Sequence, residues 1–388
     1  MKETMTSRER VLKAINHEIP DRVPIDLGGN QTGIHKNAYQ GLIDHLGIKE
    51  QIEIMDAVQQ LAKPSEAILE MFHVDTRYIA AGSPESWKGG IVKNVRNDRT
   101  WFDLKDEFGI VWSMPEDQPN FMDISHNPLA NATIKDIKSY PFPKGNDPSR
   151  FVGLRQKAKA IRNETPYAVV SGISGVVYEF CWYMRGLEQW FMDLHTEPEF
   201  CELLIDQTLK FWLDWFEGFL NEVHDLVDVI MIGDDLAGQA GPLFRPEIYR
   251  KIVKPRQKKL VQYIKSRTNA KIWYHTCGSC IEYIPDLKDN GVDILNPVQI
   301  GAEKMDPLFL KKKFGKDMVF WGGGCDSQHI LPFATHEKVA QDVKKNMEAF
   351  KQGGGYIFNN VHNIQSGVPA ENIIALFKAA YENAFYSK

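Results

Sequence analysis

The sequence predicts an α/β protein, a (β/α)8 TIM barrel with an antiparallel β insertion after the second strand. Three observations carry that expectation. Short β-branched runs alternate with longer amphipathic patterns along almost the whole chain. Eight such runs can be counted, which suits a closed barrel better than its competitor, an open doubly wound sheet. One stretch, residues 87–148, breaks the alternation.

The eight strands fall near residues 22–27, 76–81, 167–171, 227–232, 271–275, 292–296, 318–321 and 356–359. Between them, stretches such as 198–222, 246–266 and 336–351 carry apolar residues at three- and four-residue spacing, the mark of a helix with one buried face. The segment that breaks the pattern contains IVKNVRND, TWFDLKDEFG and IVWSMPED, separated by turn residues, and reads as β-hairpins. A proline-rich connection from Tyr140 to Pro148 follows and cannot be helix interior. We expect one domain over 1–388, with 87–148 inserted in it as a lid or an interface.

Composition narrows the function classes. The 388 residues are 43% hydrophobic and 25% charged, as in a globular protein, which excludes a wholly disordered or fibrous chain. The formal net charge is −5, with 51 Asp+Glu against 46 Lys+Arg, which argues against a nucleic-acid binder. The two basic clusters, Lys254–Lys259 and Lys311–Lys313, are expected on solvated helix faces. Mean hydropathy is −0.35, no run of 18 apolar residues exists, and MKETMTSRERVLKAI lacks a signal-peptide core; a cytoplasmic location is expected. Five cysteines do not suggest a disulfide framework. Cys181 and Cys201 lie in apolar helical surroundings, whereas Cys277, Cys280 and Cys325 sit beside glycines at strand ends and need another explanation.

Barrels place their working residues at the C-terminal ends of the strands. There the sequence offers Gly28–Gln31, Gly172–Gly175, Gly233–Gly238, His275–Cys280, Asn296–Pro297, Gly322–Asp326 and Asn359–Asn363. His275, Cys277 and Cys325 are the leading metal candidates, because one imidazole and two thiolates suit tetrahedral zinc and leave a fourth position open. Cys280 would close the site as a fourth ligand, or else belongs to the first turn of the next helix. Three unrelated buried side chains are the plain alternative. Asp234 and Asp235 are the candidate catalytic carboxylates, since adjacent acids at a buried strand end need partners; capping with one and solvating the other is the plain alternative. Asn30, Asn359 and His362 are candidates for substrate binding. So are Tyr178 and Arg185, although the aromatics of their stretch, Trp182 and Tyr183 included, are core by default. Gly322–Gly324 and Gly353–Gly355 match no phosphate-binding pattern; the second reads as a turn, the first as a place where the backbone approaches a ligand.

Taken together, SRERVLKAINHEIPDRVPID, VDVIMIGDDLAGQAGPLFRPEIYR, KIWYHTCGSC, GVDILNPVQ and GGGYIFNNVHNIQSGVPAENI resemble the uroporphyrinogen decarboxylase superfamily. The resemblance implies a (β/α)8 barrel and one of two chemistries, cofactor-free decarboxylation or zinc-dependent, corrinoid-linked methyl transfer. The decarboxylases carry an Arg-Gln-Ala-Gly-Arg motif for their substrate's carboxylates, whereas this chain has Gly28–Gln31 without arginine. The methyltransferase branch carries a His-x-Cys…Cys zinc motif, which maps onto His275, Cys277 and Cys325. The resemblance therefore implies a zinc-dependent methyltransferase that works with cobalamin carried by a separate corrinoid protein, since no Asp-x-His-x-x-Gly signature is present. The other substrate would be a methylated small molecule or a thiol, and a homodimer is implied by the superfamily alone. The alternatives are a metal-independent decarboxylase and a non-catalytic metal- or corrinoid-binding barrel.

Overall fold

A computed structural model describes residues 3–386. Seven parallel strands form its central sheet: β1 (Thr76–Ile79), β2 (Ala168–Gly172), β3 (Val229–Gly233), β4 (Lys271–His275), β5 (Ile294–Asn296), β6 (Val319–Trp321) and β7 (Tyr356–Ile357). They run in sequence order from β1 to β7. Residues 22–27 close the ring between the two end strands. Ile25 bridges Val74 on one side and Phe358 on the other, both in parallel sense. The amide of Asp26 donates to Phe358 O at 2.9 Å, and that of Asp75 donates to Ile25 O at 2.8 Å. Seven of the eight expected strands are in place within two residues at their ends, and residues 22–27 close the ring through isolated bridges.

The β-branched runs become strands because a barrel wall is buried on both faces. Inside lie Ala168, Val170, Val229, Met231, Trp273, Ile294, Val319, Trp321 and Ile357. Trp273 and Trp321 stack there at 4.5 Å. The helix Ser7–Ile15, started by a capping box of Thr6 and Glu9, sends Val11, Ala14 and Ile15 into the same cluster and stoppers the N-terminal end. Successive side chains alternate across a strand, so the next inward layer at the open end holds Gly172, Gly233, His275, Asn296 and Asn359. Two of these must be glycine. A Cβ on Gly172 would lie 2.0 Å from Met231 O, and one on Gly233 would lie 2.4 Å from His275 O.

The insertion forms a four-stranded antiparallel sheet from Ile91–Arg96, Arg99–Lys105, Val111–Pro115 and Asp123–His126. Asn97 and Asp98, at φ 49° and 59°, make the first tight turn. The sheet docks beside the helix Glu179–Arg185, where Trp112 meets Tyr183 edge-on at 5.3 Å. A second small sheet of Ile34–His35, Ile54–Asp56 and Leu61–Ala62 was not expected, because two- and three-residue strands carry no readable period.

The long helices run Pro198–Val223, Lys254–Lys265 and His336–Phe350, close to the expected stretches. The solvated-face expectation holds for Lys254 and Lys258, which pair with Asp289. It does not hold for Lys311, which reaches inward to the Gly354 carbonyl. No described helix is long and apolar enough to cross a membrane.

Candidate metal and catalytic site

His275, Cys277 and His362 come together at the open end of the barrel, their ligand atoms all within 4.8 Å of one another. His275 ends β4, and its ring is fixed from behind. Its Nδ1 lies 2.6 Å from Asn296 Oδ1, and the Asn296 amide donates to Trp321 O at 3.0 Å. The amide nitrogen of Asn296 is thereby committed, so its oxygen accepts and His275 Nδ1 carries the proton. That leaves the Nε2 lone pair free, 3.5 Å from Cys277 Sγ. Burial pushes the His275 imidazole down to about 4, so the ring is neutral and ready to ligate at ordinary pH.

His362 is held in the opposite tautomer. The amide of Asn363 donates to His362 Nδ1 at 2.7 Å, so the proton sits on Nε2. Its ring stands 5.1 Å from that of His275, nearly perpendicular. Burial and the neighbouring imidazole push it down to about 3.

The structure departs from the expected set of His275, Cys277 and Cys325. Cys325 is buried, its Sγ lies 3.9 Å from the Asp326 carbonyl oxygen, and it is outside the cluster; burial and the charges of Asp342 and Asp326 push its thiol up. Cys280 is buried in the first turn after β4, with its thiol raised to about 12 by burial, and it is outside the cluster as well. The glycines expected to approach a ligand, Gly322–Gly324, instead let strand ends pass one another: a Cβ on Gly322 would meet Pro297 O at 2.2 Å.

The two aspartates separate cleanly. Asp234 Oδ1 accepts from the amides of Val177, Tyr178 and Glu179 at 2.8–2.9 Å. Its Oδ2 accepts from Gln257 at 2.8 Å and from Tyr274 at 3.2 Å. Burial raises Asp234 to about 6 against these five donors. Five donors engage this carboxylate, which anchors the start of the helix Glu179–Arg185. Asp235 faces the cluster: its Oδ1 accepts the Cys277 amide at 2.7 Å. Its own amide donates to Glu179 Oε2 at 2.9 Å, and Glu179 also accepts from the Tyr183 hydroxyl. Burial and the adjacent carboxylates raise Glu179 well above the usual range, and burial raises Asp235.

Glu179 escaped the sequence reading. Its signal was there, a single acid in the apolar run VVYEFCW. Asp26 was missed too; it is fully buried in the barrel and accepts from Trp321 Nε1 at 2.8 Å and from the Tyr78 hydroxyl at 2.9 Å. Among the expected substrate-binding residues, His362 and Asn359 lie at the open end. The backbone carbonyl of Asn30 ties the first loop to Gln59 and Asn363. Tyr178 is stacked on Phe244 at 4.7 Å within the core, and Arg185 is held by Asp193 and the carbonyls of Leu129, Ala130 and Ala132, so both are structural. A cavity of about 1050 Å³ is lined by Gly29, Asn30, Tyr78, Gly172 and Met231 among others, and by none of His275, Cys277 and His362.

Known proteins share this framework. A uroporphyrinogen decarboxylase from Vesicomyosocius okutanii is 25% identical over 279 residues, 70% of this chain and 74% of the relative. One from Vibrio vulnificus is 23% identical over 270 residues, 67% and 71% of the two chains. The structure of a methyltransferase from Methanosarcina mazei superposes with a TM-score of 0.65 over 98% of this chain and 99% of that one, at 19% identity, a likeness of fold. The sequence pattern of the uroporphyrinogen decarboxylase (URO-D) family matches residues 106–383, and the chain belongs to that family.

Proposed function

We propose that this protein is a zinc-dependent methyltransferase that moves a methyl group between a methylated small molecule or thiol and a corrinoid protein. One observation carries the reading: His275 presents a free Nε2 lone pair 3.5 Å from the Cys277 thiol, with a third candidate ligand, the His362 imidazole, beside them. Nitrogen and sulfur donors in a buried, water-poor pocket are what zinc selects. His275 and Cys277 would hold the ion, with His362 completing the set after a shift of its proton, or Cys325 after a change of rotamer. Zinc bound there supplies Lewis acidity, lowering the pKa of a thiol or polarising a methylated heteroatom.

The chain's own groups do the rest. Asp235 holds the Cys277 amide and so fixes the loop that carries the thiol. The Glu179–Asp235 pair, both raised by burial, keeps a proton in the site that can pass to or from the reacting heteroatom. His362 Nε2–H can donate to that same atom while its tautomer is kept. The arginine-free first loop is a poor match for a polycarboxylate, which disfavours decarboxylation of the kind named in the relatives above.

Metal content and methyl transfer test the reading together. Purified protein should hold about one zinc per chain, lost in Cys277→Ala, and should demethylate methylcobalamin in the presence of a thiol. Comparing His362→Ala with Cys325→Ala then identifies the third ligand. Protein that takes up no zinc under reducing conditions, and does not turn over methylcobalamin, ends the proposal.

A further inference from the structure

The open end of the barrel presents a hydrogen-bond acceptor that has no donor among the described residues. Asn359 is fully buried, and its amide nitrogen donates to the Asp26 carbonyl at 2.9 Å. A carbonyl only accepts, so the nitrogen must face it and Oδ1 is left as the free end. That oxygen has no partner among the described residues. Strand alternation turns Asn359 inward: Ile357 belongs to the barrel's inner layer, whereas Phe358 packs outward. The Gln31 amide, one end of which meets the Ser174 hydroxyl, is also half-paired. Unmet buried acceptors are costly in a folded chain, and a ligand that donates to them recovers that cost.

Charge points the same way. Beside the cluster stand two carboxyl groups, Asp235 on the Cys277 amide and Glu179 on the Asp235 amide. Arg77 pairs with Glu66, and Arg185 pairs with Asp193. An anion brought to Asn359 Oδ1 would offer it no proton.

We propose that the non-reacting part of the substrate carries an amine or hydroxyl donor in place of a carboxylate, phosphate or sulfonate, and that Asn359 Oδ1 positions it. This inference rests on the methyltransferase reading for the reacting end of the substrate, held at His275 and Cys277. The donor-bearing tail is a separate feature, which allows the two to fail separately.

The test compares 2-mercaptoethylamine, 2-mercaptoethanol and mercaptoacetate, thiols that differ in the charge of the far group. Calorimetric titration of zinc-loaded protein, with retained zinc measured afterwards, should show the amine and alcohol binding at least about ten times tighter than the acid. Asn359→Ala should erase most of that preference and leave mercaptoacetate unchanged, whereas a merely structural loss would weaken all three equally. Asn359→Asp should restore the amine and further weaken the acid. Equal binding of all three, or uniform weakening in Asn359→Ala, overturns the inference. Ethanolamine and glycolate repeat the comparison on metal-free protein without sulfur. Preference for ethanolamine in a chain that holds no zinc sinks the methyltransferase reading and keeps the subsite. Preference for glycolate, or binding of neither, sinks the subsite whatever the zinc content.

Discussion

Asn296 decides which nitrogen of His275 is available. Its amide is committed to the Trp321 carbonyl, so its oxygen takes the Nδ1 proton at 2.6 Å and turns the Nε2 lone pair toward Cys277. The pairing is built by the sheet, because β4 and β5 run parallel with His275 opposite Asn296. Partners of this kind typically alter metal affinity about 10- to 100-fold. Asn296→Ala should therefore weaken zinc binding by that factor in competition with a chelator, while Asn296→Asp, which still accepts from Nδ1, should weaken it far less. Equal affinity in all three proteins would mean that the tautomer is set elsewhere.

Asp234 and Asp235 should behave as different kinds of residue. Asn at 234 would turn an NH₂ toward donors, Gln257 and Tyr274 on one side or the three amides on the other. Unmet buried groups of this sort cost about 2–4 kcal/mol in total. We expect Asp234→Asn to lower the urea midpoint strongly, and the protein that remains folded to keep its zinc. Asp235→Asn should leave the midpoint nearly unchanged and slow methyl transfer by about 100-fold. Reversed effects would exchange the two assignments.

What the sequence made legible follows from range. Barrel strands such as VIMIG at 229–233 are visible because a wall buried on both faces leaves a continuous apolar run. The hairpin at Asn97–Asp98 is visible because its turn chemistry is local. Asp234 and Asp235 were visible as a pair, but adjacent residues face opposite ways, and only the helix start at Val177–Glu179 tells them apart. The partnership of His275 with His362 depends on how the ring of strands closes, which no local pattern encodes. Cys325 has the right residue type at the right strand end, yet its thiol lies against the Asp326 carbonyl and outside the cluster. Glu179 was hidden because a helix of apolar residues reads as core, whatever one acid in it does.

The N-terminal stopper is held by a buried ion cluster. Asp75 accepts from Arg10 at 2.6 Å and from Arg22 at 2.7 Å, and its Oδ2 also takes the Ile25 amide at 2.8 Å. All three side chains are at most 2% exposed, and removing the Asp75 charge leaves the two arginines only the outer carboxylates, Asp21 on Arg10 and the half-buried Glu3 on both. With those carboxylates retained, the loss falls at the lower end of the about 3–5 kcal/mol that breaking a buried pair costs. Asp75→Asn should lose that much in denaturant unfolding, with zinc affinity unchanged in the folded fraction because the cluster lies at the opposite end of the barrel. A loss under about 1 kcal/mol would place the cluster with ordinary surface pairs.

Lys311 gives a pH signature remote from the metal site. Its ammonium donates to the Gly354 carbonyl, and burial lowers it from 10.5 to about 8. The unfolded chain then keeps that proton up to about pH 10.5, while the folded one releases it near 8. Between those values the unfolded state binds more protons, so this group makes stability rise with pH; below 8 both states are charged and its slope vanishes. The shift corresponds to about 3 kcal/mol at most, and to about 2 kcal/mol once partial exposure is allowed for. Lys311→Met should be offset from the wild type by a constant amount below pH 8. Wild type should then gain on it by about 2 kcal/mol between pH 8 and 10.5 in urea titrations, with groups common to both proteins cancelling. Parallel stability curves across that window would show that the ammonium is not penalised by its burial.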